Sequence, residues 1–399
     1  MYAKLVQDAR ENIKDVVLKT PLLYSPVFSN LSGNEVYLKC ENLQITGAYK
    51  IRGALNRIRN LSAEEKEKGV VCSSAGNHAQ GVAYAATLNH VDATIVMPET
   101  TPYLKVQSTK DFGGNVVLHG SCYDDAFGEA SRIEKENGAT FIHPFNDPDV
   151  IYGQGTVGLE ILEDIPNLDV IICPIGGGGL ISGVALYAKS INPNIKIIGV
   201  QAEGANAMER SFKTRTLTSL DKVDTIAEGI AVKTPGTLTF SYIKEYVDEI
   251  ITVKDSTIVD SLLILTEKHK LLTETSGAAS LAALKKLNFK GKKVAAIISG
   301  GNIDMLTLSA LIRSGLVSRG RLFCFTIELP NTPGELLEVS KILSSINANV
   351  VNLDHNQFKA RNRFKNVLLE VTVETNGPEH IHLIKNTFEE YGYFITQLY

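Results

Sequence analysis

The sequence has few cysteines, no excess of positive charge and no histidine cluster, and each absence removes a class of protein. Five cysteines among 399 residues are scattered and never form a Cys-x-x-Cys pair, so reduced thiols are expected rather than disulfides or structural zinc. The formal net charge of -4 gives no electrostatic basis for binding nucleic acid or an anionic membrane. His380 and His382 do not share a helix face, so no transition-metal site is predicted.

Long apolar segments are also scarce. Residues 1–8 lack the apolar core of a signal peptide, which predicts a cytoplasmic protein. The uncharged stretch 170–188 is long enough for a membrane span, but its glycines and Pro174 favour a buried strand followed by a helix. A hydrophobic fraction of 44% and a charged fraction of 21% are those of an ordinary globular protein, and the length predicts two or three domains.

Apolar strands alternate with amphipathic helices over most of the chain. This order predicts an α/β protein with one or two mainly parallel sheets. The predicted strands are 70–72, 93–97, 116–118, 140–143, 171–175, 195–201 and 294–299. The predicted helices are 79–88, 103–112, 124–136, 156–162 and 276–287.

The pattern changes after residue 315, where a short Ser/Gly/Arg stretch predicts a linker over 316–321. The segments beyond it are predicted as 322–329 (strand), 334–347 (helix), 350–354 (strand), 366–374 (strand), 379–391 (helix) and 394–398 (strand). The order βαββαβ is that of a ferredoxin-like domain.

Four consecutive glycines separate the strand at 171–175 from a helix beginning near Leu180. They are Gly176, Gly177, Gly178 and Gly179. Residues without Cβ let successive backbone N–H groups converge at the positive end of the following helix, a geometry that binds phosphate. The sequence therefore predicts a phosphorylated small-molecule ligand.

A dinucleotide is one candidate ligand. Glu203 lies at a suitable distance downstream to hold a ribose hydroxyl. However, aligning Gly177 and Gly179 with the first two glycines of Gly-x-Gly-x-x-Gly puts Ser182 where glycine or alanine is needed. A nicotinamide or flavin oxidoreductase is therefore disfavoured.

Two further segments point to another ligand. Lys50 follows the aromatic Tyr49 in a helix-prone stretch, and the loop 74–78 follows a strand and opens a helix, forming a second anion site. Alone, Lys50 is consistent with a solvated residue, and Asn77 with a helix cap. Together, a phosphate site, a carboxylate site and a lysine are the parts that pyridoxal phosphate chemistry on an amino acid requires.

These segments resemble those of the fold-type II pyridoxal-phosphate enzymes (tryptophan synthase β-like), and among them the threonine/serine dehydratases, over about residues 1–315. The resemblance implies a small subdomain at about 45–145, with the remainder forming a large one. It implies that Lys50 is the catalytic residue and binds the cofactor covalently. The implied cofactor site consists of Tyr49, Lys50, Asn77, Gly176, Gly177, Gly178, Gly179, Leu180 and Ser299. The implied substrate-carboxylate site consists of Ser74, Ala75, Gly76, Asn77 and His78.

The resemblance also implies the reaction. Lys50 would remove the Cα proton and a β-hydroxyl would leave, converting threonine to 2-oxobutanoate and ammonia, with serine as a further substrate. Related racemases carry an acid/base serine at the position of Ala75, and cysteine-synthase-like members have a different loop, so both activities are disfavoured. The motif departs from the family at Ala48, usually serine, and at Tyr49, usually phenylalanine. A non-catalytic amino-acid sensor remains an alternative.

Two further expectations come from the resemblance. Relatives bind a monovalent or divalent cation at positions corresponding to Glu203, Ala207 and Glu209, although a solvated acidic loop explains these residues equally well. Residues 322–399 resemble a single ACT domain, on the pattern 329–336. That implies an amino-acid or nucleotide effector near 332–336 and 349–355, and a homodimer or homotetramer. A purely oligomerising domain is the alternative.

Overall fold

The computed structural model describes residues 1–356 and 365–398. Contacts divide the chain into two compact units, Met1–Asp304 and Met305–Tyr399. The strands of the first unit are β1 (Leu22–Tyr24), β2 (Glu35–Cys40), β3 (Val70–Ser73), β4 (Ala93–Met97), β5 (Asn115–Leu118), β6 (Thr140–Phe141), β7 (Val170–Pro174), β8 (Lys196–Ala202), β9 (Glu249–Val253) and β10 (Lys293–Ile298).

The first unit also contains thirteen described α-helices. These are α1 (Tyr2–Ile13), α2 (Pro26–Ser32), α3 (Lys50–Arg59), α4 (Ala63–Lys68), α5 (Asn77–Leu88), α6 (Tyr103–Asp111), α7 (Tyr123–Asn137), α8 (Pro148–Asp164), α9 (Gly179–Ile191), α10 (Ala207–Thr214), α11 (Thr237–Tyr246), α12 (Asp255–Ile264) and α13 (Thr275–Ala282).

Two sheets organise this unit, as the alternating pattern predicts. The larger has the strand order β1-β2-β10-β7-β8-β9 and is parallel except for β1. The smaller, β5-β4-β3-β6, is entirely parallel. Strands β3 and β7 are buried along their whole length, which explains their unbroken apolar sequences. Each sheet has its own hydrophobic core.

The carboxyl ends of three parallel strands position the predicted functional segments. Strand β3 ends before the loop 74–76, β7 ends before the glycine turn, and β10 ends before Ser299. Ligands of open α/β sheets bind at this end of the strands. Helix α3, which begins at Lys50, packs on α5 and α8.

The second unit contains α14 (Met305–Ser318), β11 (Leu322–Pro330), α15 (Glu335–Ser345), β12 (Asn349–Asn356), β13 (Asn366–Glu374), α16 (Pro378–Glu390) and β14 (Ile395–Gln397). The antiparallel sheet β12-β13-β11-β14 with two helices has the ferredoxin-like topology that the sequence predicts. The predicted range 322–399 includes 357–364 and Tyr399, which lie outside the described residues.

The predicted linker at 316–321 differs from the structure in part. Residues 316–318 are the last turn of α14, and the helix ends where Gly320 adopts a positive φ of 64°. The N–H of Gly320 donates to the carbonyl of Val317, as at a glycine-terminated helix end. The Ser/Gly/Arg composition therefore placed the end of the helix about three residues before its position in the structure. The predicted boundary at 315 stays a prediction.

The uncharged stretch 170–188 forms β7 and most of α9, both buried, as predicted. Within 1–356 and 365–398, no helix combines the length and apolar character needed to cross a membrane.

Candidate active site

Lys50 is the first residue of α3, and its side chain is only partly exposed. Its Nζ donates a hydrogen bond to the carbonyl of Pro144 at 3.0 Å and lies 5.3 Å from the ring centroid of Tyr49. Loss of hydration lowers the pKa of Lys50 to about 8, and the nearby Glu274 offsets part of this effect. A lowered pKa increases the neutral fraction of the amine, which is the nucleophilic form.

The glycine turn has no room for side chains. A Cβ on Gly177 would lie 2.2 Å from the ring of Phe145, and Gly178 has a φ of +99° just before α9 begins. The carbonyl of Gly177 accepts a hydrogen bond from Thr239 Oγ1 at 2.6 Å, which fixes the turn. The backbone N–H groups at this helix start form a cradle for an anion.

The segment 143–145 connects the lysine to this cradle. The carbonyl of Pro144 accepts the Lys50 hydrogen bond, and the next residue, Phe145, packs on Gly177 and Gly179. His143 Nδ1 accepts hydrogen bonds from the N–H groups of Phe145 and Asn146, at 3.2 and 2.9 Å. The Lys50 amine and the glycine turn therefore contact two consecutive residues of this segment, Pro144 and Phe145.

Asn77 is the first residue of α5, and partners on two other segments hold its amide. Its Nδ2 donates to Glu274 Oε1 at 2.9 Å, and its Oδ1 accepts from Asn302 Nδ2 at 2.9 Å. The neighbouring His78 is buried, with Nε2–H donating to the carbonyl of Ile142 at 2.8 Å. Burial, with a contribution from the charge of Lys50, lowers the pKa of His78 to about 3. His78 is therefore a neutral imidazole.

The segment 299–302 binds the lysine segment through the backbone. The N–H of Tyr49 donates to the carbonyl of Ser299 at 3.2 Å, and Asn302 Nδ2 donates to the carbonyl of Thr46 at 2.7 Å. Ala48, where the family usually has serine, is fully buried and forms a β-bridge with Gly300. The structure thus brings the lysine, Asn77 and Ser299 segments together.

Glu274 is a site residue that sequence reasoning missed. It precedes α13, its N–H donates to the carbonyl of Gly300 at 3.1 Å, and its carboxyl contacts Asn77. Burial raises the pKa of Glu274 to about 7. In the sequence, the signal that could have identified Glu274 is its place directly before the small residues 275–279, which form a buried helix.

The three positions predicted to hold a cation follow β8. The Glu203 carboxylate pairs with Lys286 at 3.6 Å, and Glu209 pairs with Lys213. Ala207 is the first residue of α10. In the described part of the chain, no group of three or more His, Cys, Asp or Glu side chains is placed to hold a metal. A cation at this loop stays a prediction.

The donor set fits a phosphorylated aldehyde. The glycine turn at the start of α9 suits a phosphate, and the lysine with a lowered pKa suits an aldehyde carbon. An α/β protein with these parts at the carboxyl ends of its strands is an enzyme of the class that uses such a cofactor.

Comparison with known proteins gives the family. Residues 13–300 match the family described as "Pyridoxal-phosphate dependent enzyme". The chain therefore belongs to the pyridoxal-phosphate-dependent enzymes, with the fold-type II architecture, and its cofactor is pyridoxal 5'-phosphate.

Relatives with named activities are similar over most of their length. A Thermotoga maritima "L-threonine ammonia-lyase" is 46% identical over 389 residues, covering 97% of this chain and 97% of that protein. The structure of processed threonine deaminase isoform 2 from Solanum lycopersicum is 38% identical with a TM-score of 0.75, covering 78% of this chain and 86% of that one. Maize serine racemase is 39% identical with the same TM-score, covering 79% and 98%.

Proposed function

We propose that the protein is an ammonia-lyase that converts L-threonine to 2-oxobutanoate and ammonia and also accepts L-serine. The observation that carries this proposal is Lys50, a partly buried amine with a lowered pKa that donates to Pro144, next to the Phe145 that packs on the glycine turn. Similarity to a threonine ammonia-lyase along nearly the whole of both chains supports the substrate.

The residues fall into two groups by what they would hold. Gly176, Gly177, Gly178, Gly179 and Leu180 would hold the cofactor phosphate. Tyr49 would pack beside the ring, Asn77 would contact the ring oxygen and Ser299 the ring nitrogen. The loop Ser74, Ala75, Gly76, Asn77 and His78 would bind the substrate carboxylate, because it leads into α5, whose N-terminal end carries a partial positive charge.

Lys50 carries the proton that the reaction moves. Bound pyridoxal phosphate supplies an electron-withdrawing ring that acidifies the Cα proton of an attached amino acid. Lys50 Nζ accepts that proton as general base, and the β-hydroxyl takes up one proton and leaves as water, so the proton lost from Cα is balanced by the one gained by the leaving group. One water is released in the elimination and one is consumed when ammonia is released, so threonine gives 2-oxobutanoate and ammonia without other reactants.

Elimination is favoured over racemisation, although a serine racemase is among the similar structures. Racemisation needs a second acid/base group on the opposite face of Cα. The loop has Ala75 directly before Gly76, and alanine carries no proton to exchange. The loop therefore lacks the acid/base serine of the racemases, and one base, Lys50, serves one face.

The test is steady-state turnover of the purified holoenzyme on L-threonine and L-serine, with detection of the 2-oxo acid. The proposal predicts 2-oxobutanoate from threonine, and loss of at least about 1,000-fold in kcat for Lys50→Ala. Lys68→Ala is a matched control, because Lys68 is an exposed lysine paired with Glu64. Full activity in Lys50→Ala, or conversion of L-serine to D-serine without 2-oxo acid, would contradict the proposal.

We propose further that the second unit is an ACT domain that binds an amino-acid or nucleotide effector. A cavity of about 390 Å3 lies between residues 330–336, His355 and Val367. These residues overlap the two segments that the sequence singles out. Calorimetric titration with isoleucine, valine and nucleotides tests the proposal, and binding that disappears in His355→Ala would support it. An absence of binding by all of them would favour the purely oligomerising alternative.

A homodimer or homotetramer and a cytoplasmic location are also proposed. The edge strand β12 is largely exposed and carries Val350, Val351 and Leu353 in accessible positions, which suits pairing with another chain. All five cysteines are free thiols, as expected in a reducing compartment. Light scattering and cell fractionation test these two statements separately.

A further inference from the structure

Glu274 is a carboxyl group that the reaction above does not use, and we propose that it is a positioning residue that fixes the amide of Asn77 for contact with bound cofactor. The inference rests on the proposed function, because it requires Asn77 to be a cofactor ligand. Glu274 precedes α13, which packs on β10 of the larger sheet, whereas Asn77 begins α5 beside the smaller sheet. Their hydrogen bond therefore joins the two halves of the site.

The two partners of Asn77 specify one orientation of its amide. A side-chain amide has one acceptor oxygen and two N–H donors. Asn302 Nδ2 donates to Oδ1, and one N–H of Nδ2 donates to Glu274 Oε1, both at 2.9 Å. If the Asn77 amide were flipped, its NH2 group would face the NH2 group of Asn302 and its oxygen would face Glu274 Oε1. Both hydrogen bonds would then be lost. The second N–H of Nδ2 is then the one available to the cofactor.

The surrounding backbone holds the carboxyl group in place. The N–H of Glu274 donates to the carbonyl of Gly300 at 3.1 Å, and Thr273 Oγ1 donates to the same carbonyl at 2.8 Å. An added Cβ would lie 2.9 Å from Glu274 Oε1 at Gly300 and 3.3 Å at Gly229. Two glycines therefore let the backbone close on the carboxyl group, and the acceptor facing Asn77 is rigid.

The experiment measures the dissociation constant of pyridoxal 5'-phosphate from the cofactor-free protein by equilibrium dialysis. Glu274→Ala should raise the constant about 10-fold, because the Asn77 amide loses the acceptor that orients it. Glu274→Gln keeps a carbonyl oxygen at the same place and should stay within about 3-fold of the wild type. Glu249→Gln is the matched control, because this carboxylate pairs with Lys196 rather than Asn77 and its removal should leave the constant unchanged.

A double variant tests whether Glu274 acts through Asn77. Asn77→Ala should raise the constant at least as much as Glu274→Ala, and Asn77→Ala/Glu274→Ala no further than Asn77→Ala alone. Additive effects, no change in folded Glu274→Ala, or an equal loss in Glu274→Gln would overturn the inference. If Glu274→Ala does not fold, Glu274→Asp withdraws the acceptor by one methylene and takes its place.

The failure of this inference is distinguishable from the failure of the proposed function. If Asn77→Ala leaves the dissociation constant unchanged, Asn77 is not a cofactor ligand and the inference falls. Turnover of threonine that depends on Lys50 would still support the proposed function in that case.

Discussion

Two groups of polar and charged side chains each include a cation from the first turn of α3, and they differ in how their charges are compensated. The first, here the structural ion cluster, consists of Lys39, Glu41, Arg52 and Glu160, all with fully buried side chains. The second, here the site cluster, consists of Lys50, Asn77, His78 and Glu274. Lys50 and Arg52 are two residues apart, so the same helix supplies a cation to each cluster.

The structural ion cluster pairs two cations with two carboxylates. Arg52 Nε and Nη2 donate to Glu41 at 2.7 and 2.8 Å, and its Nη1 and Nη2 donate to Glu160 at 2.7 and 2.9 Å. Lys39 Nζ donates to Glu160 and to the carbonyl of Thr20, both at 2.7 Å. Burial is compensated by charge, and the pKa of Glu160 is lowered by Arg52 and Lys39 despite its burial.

The site cluster has no such charge pairing, and its ionisable groups, the buried His78 and the partly exposed Lys50 and Glu274, have pKa values shifted toward the neutral form. The pKa of Lys50 is lowered to about 8, that of Glu274 is raised to about 7, and that of His78 is lowered to about 3, each mainly by loss of hydration. Among the described residues, the buried Nδ1 of His78 has no hydrogen-bond partner. The structural ion cluster therefore stabilises the fold, whereas the site cluster keeps reactive groups close to their neutral forms and lowers the stability of the protein.

Breaking the structural ion cluster should have the largest effect. Arg52→Met leaves the buried Glu41 without its cation and Glu160 with only Lys39 and the partly exposed Arg10, and we expect a loss of about 3–5 kcal/mol in the free energy of unfolding. Arg59→Met is the control, because the Arg59–Asp15 pair is partly exposed and should contribute about 1 kcal/mol or less. Urea denaturation of the cofactor-free proteins measures both. Equal losses would contradict the distinction between buried and exposed pairs.

Adding a methyl group to the glycine turn should damage the site more than the fold. In Gly177→Ala the new Cβ would meet the Phe145 ring at 2.2 Å, and displacement of the segment that holds Lys50 should weaken cofactor binding by about 10- to 100-fold. Gly128→Ala is the control, because its Cβ would meet nothing within 4 Å in helix α7. Dialysis against pyridoxal 5'-phosphate measures both variants. Wild-type affinity in Gly177→Ala would show that the cradle is elsewhere.

Removing the lysine of the site cluster should have the opposite sign to removing Arg52. Because the pKa of Lys50 is lower in the folded protein than its ordinary value, the positive charge of its amine at neutral pH disfavours folding. Lys50→Met should therefore stabilise the cofactor-free protein by about 1–2 kcal/mol at pH 7 while abolishing turnover. Chemical denaturation beside the wild type gives the result. Destabilisation would mean that Lys50 is compensated like Arg52.

The smallest predicted effect is a pH dependence from Glu274. Its folded pKa of about 7 exceeds the ordinary 4.5, so the folded state retains a proton that the unfolded state has lost between these values. Stability should therefore fall as pH rises from 4.5 to about 7. The groups that face Glu274 are Lys50, Lys105, Glu228 and Asn77. Glu274→Gln should remove this fall, and an identical pH profile in both proteins would contradict the assignment.

How much of this was predictable depends on whether a feature is local in sequence. Strand β4, Ala93–Met97, was predicted to the residue because four of its five residues are apolar and buried, with β-branched residues at its centre. The glycine turn, Lys50 and the loop containing Asn77 were found because each is a short contiguous motif. Apart from the helix-prone stretch at Lys50, the helices and strands of residues 1–69 were not predicted, since their burial depends on distant partners.

The pairings that distinguish the two clusters were beyond sequence reasoning for the same reason. Arg52 and Glu160 are 108 residues apart, and Asn77 and Glu274 are 197 residues apart. No periodicity or spacing within either segment indicates its partner. Only the meeting of α3, α8 and the strand ends brings these side chains together, so Glu274 emerged as a site residue from the structure alone.

The most direct test of the account is to locate the lysine that binds the cofactor. The holoenzyme would be treated with borohydride to make the attachment permanent, digested and mapped by mass spectrometry. We predict a single cofactor-derived adduct, on Lys50, and its absence in Lys50→Ala. An adduct on any other lysine, or an unmodified Lys50 in fully active enzyme, would contradict it.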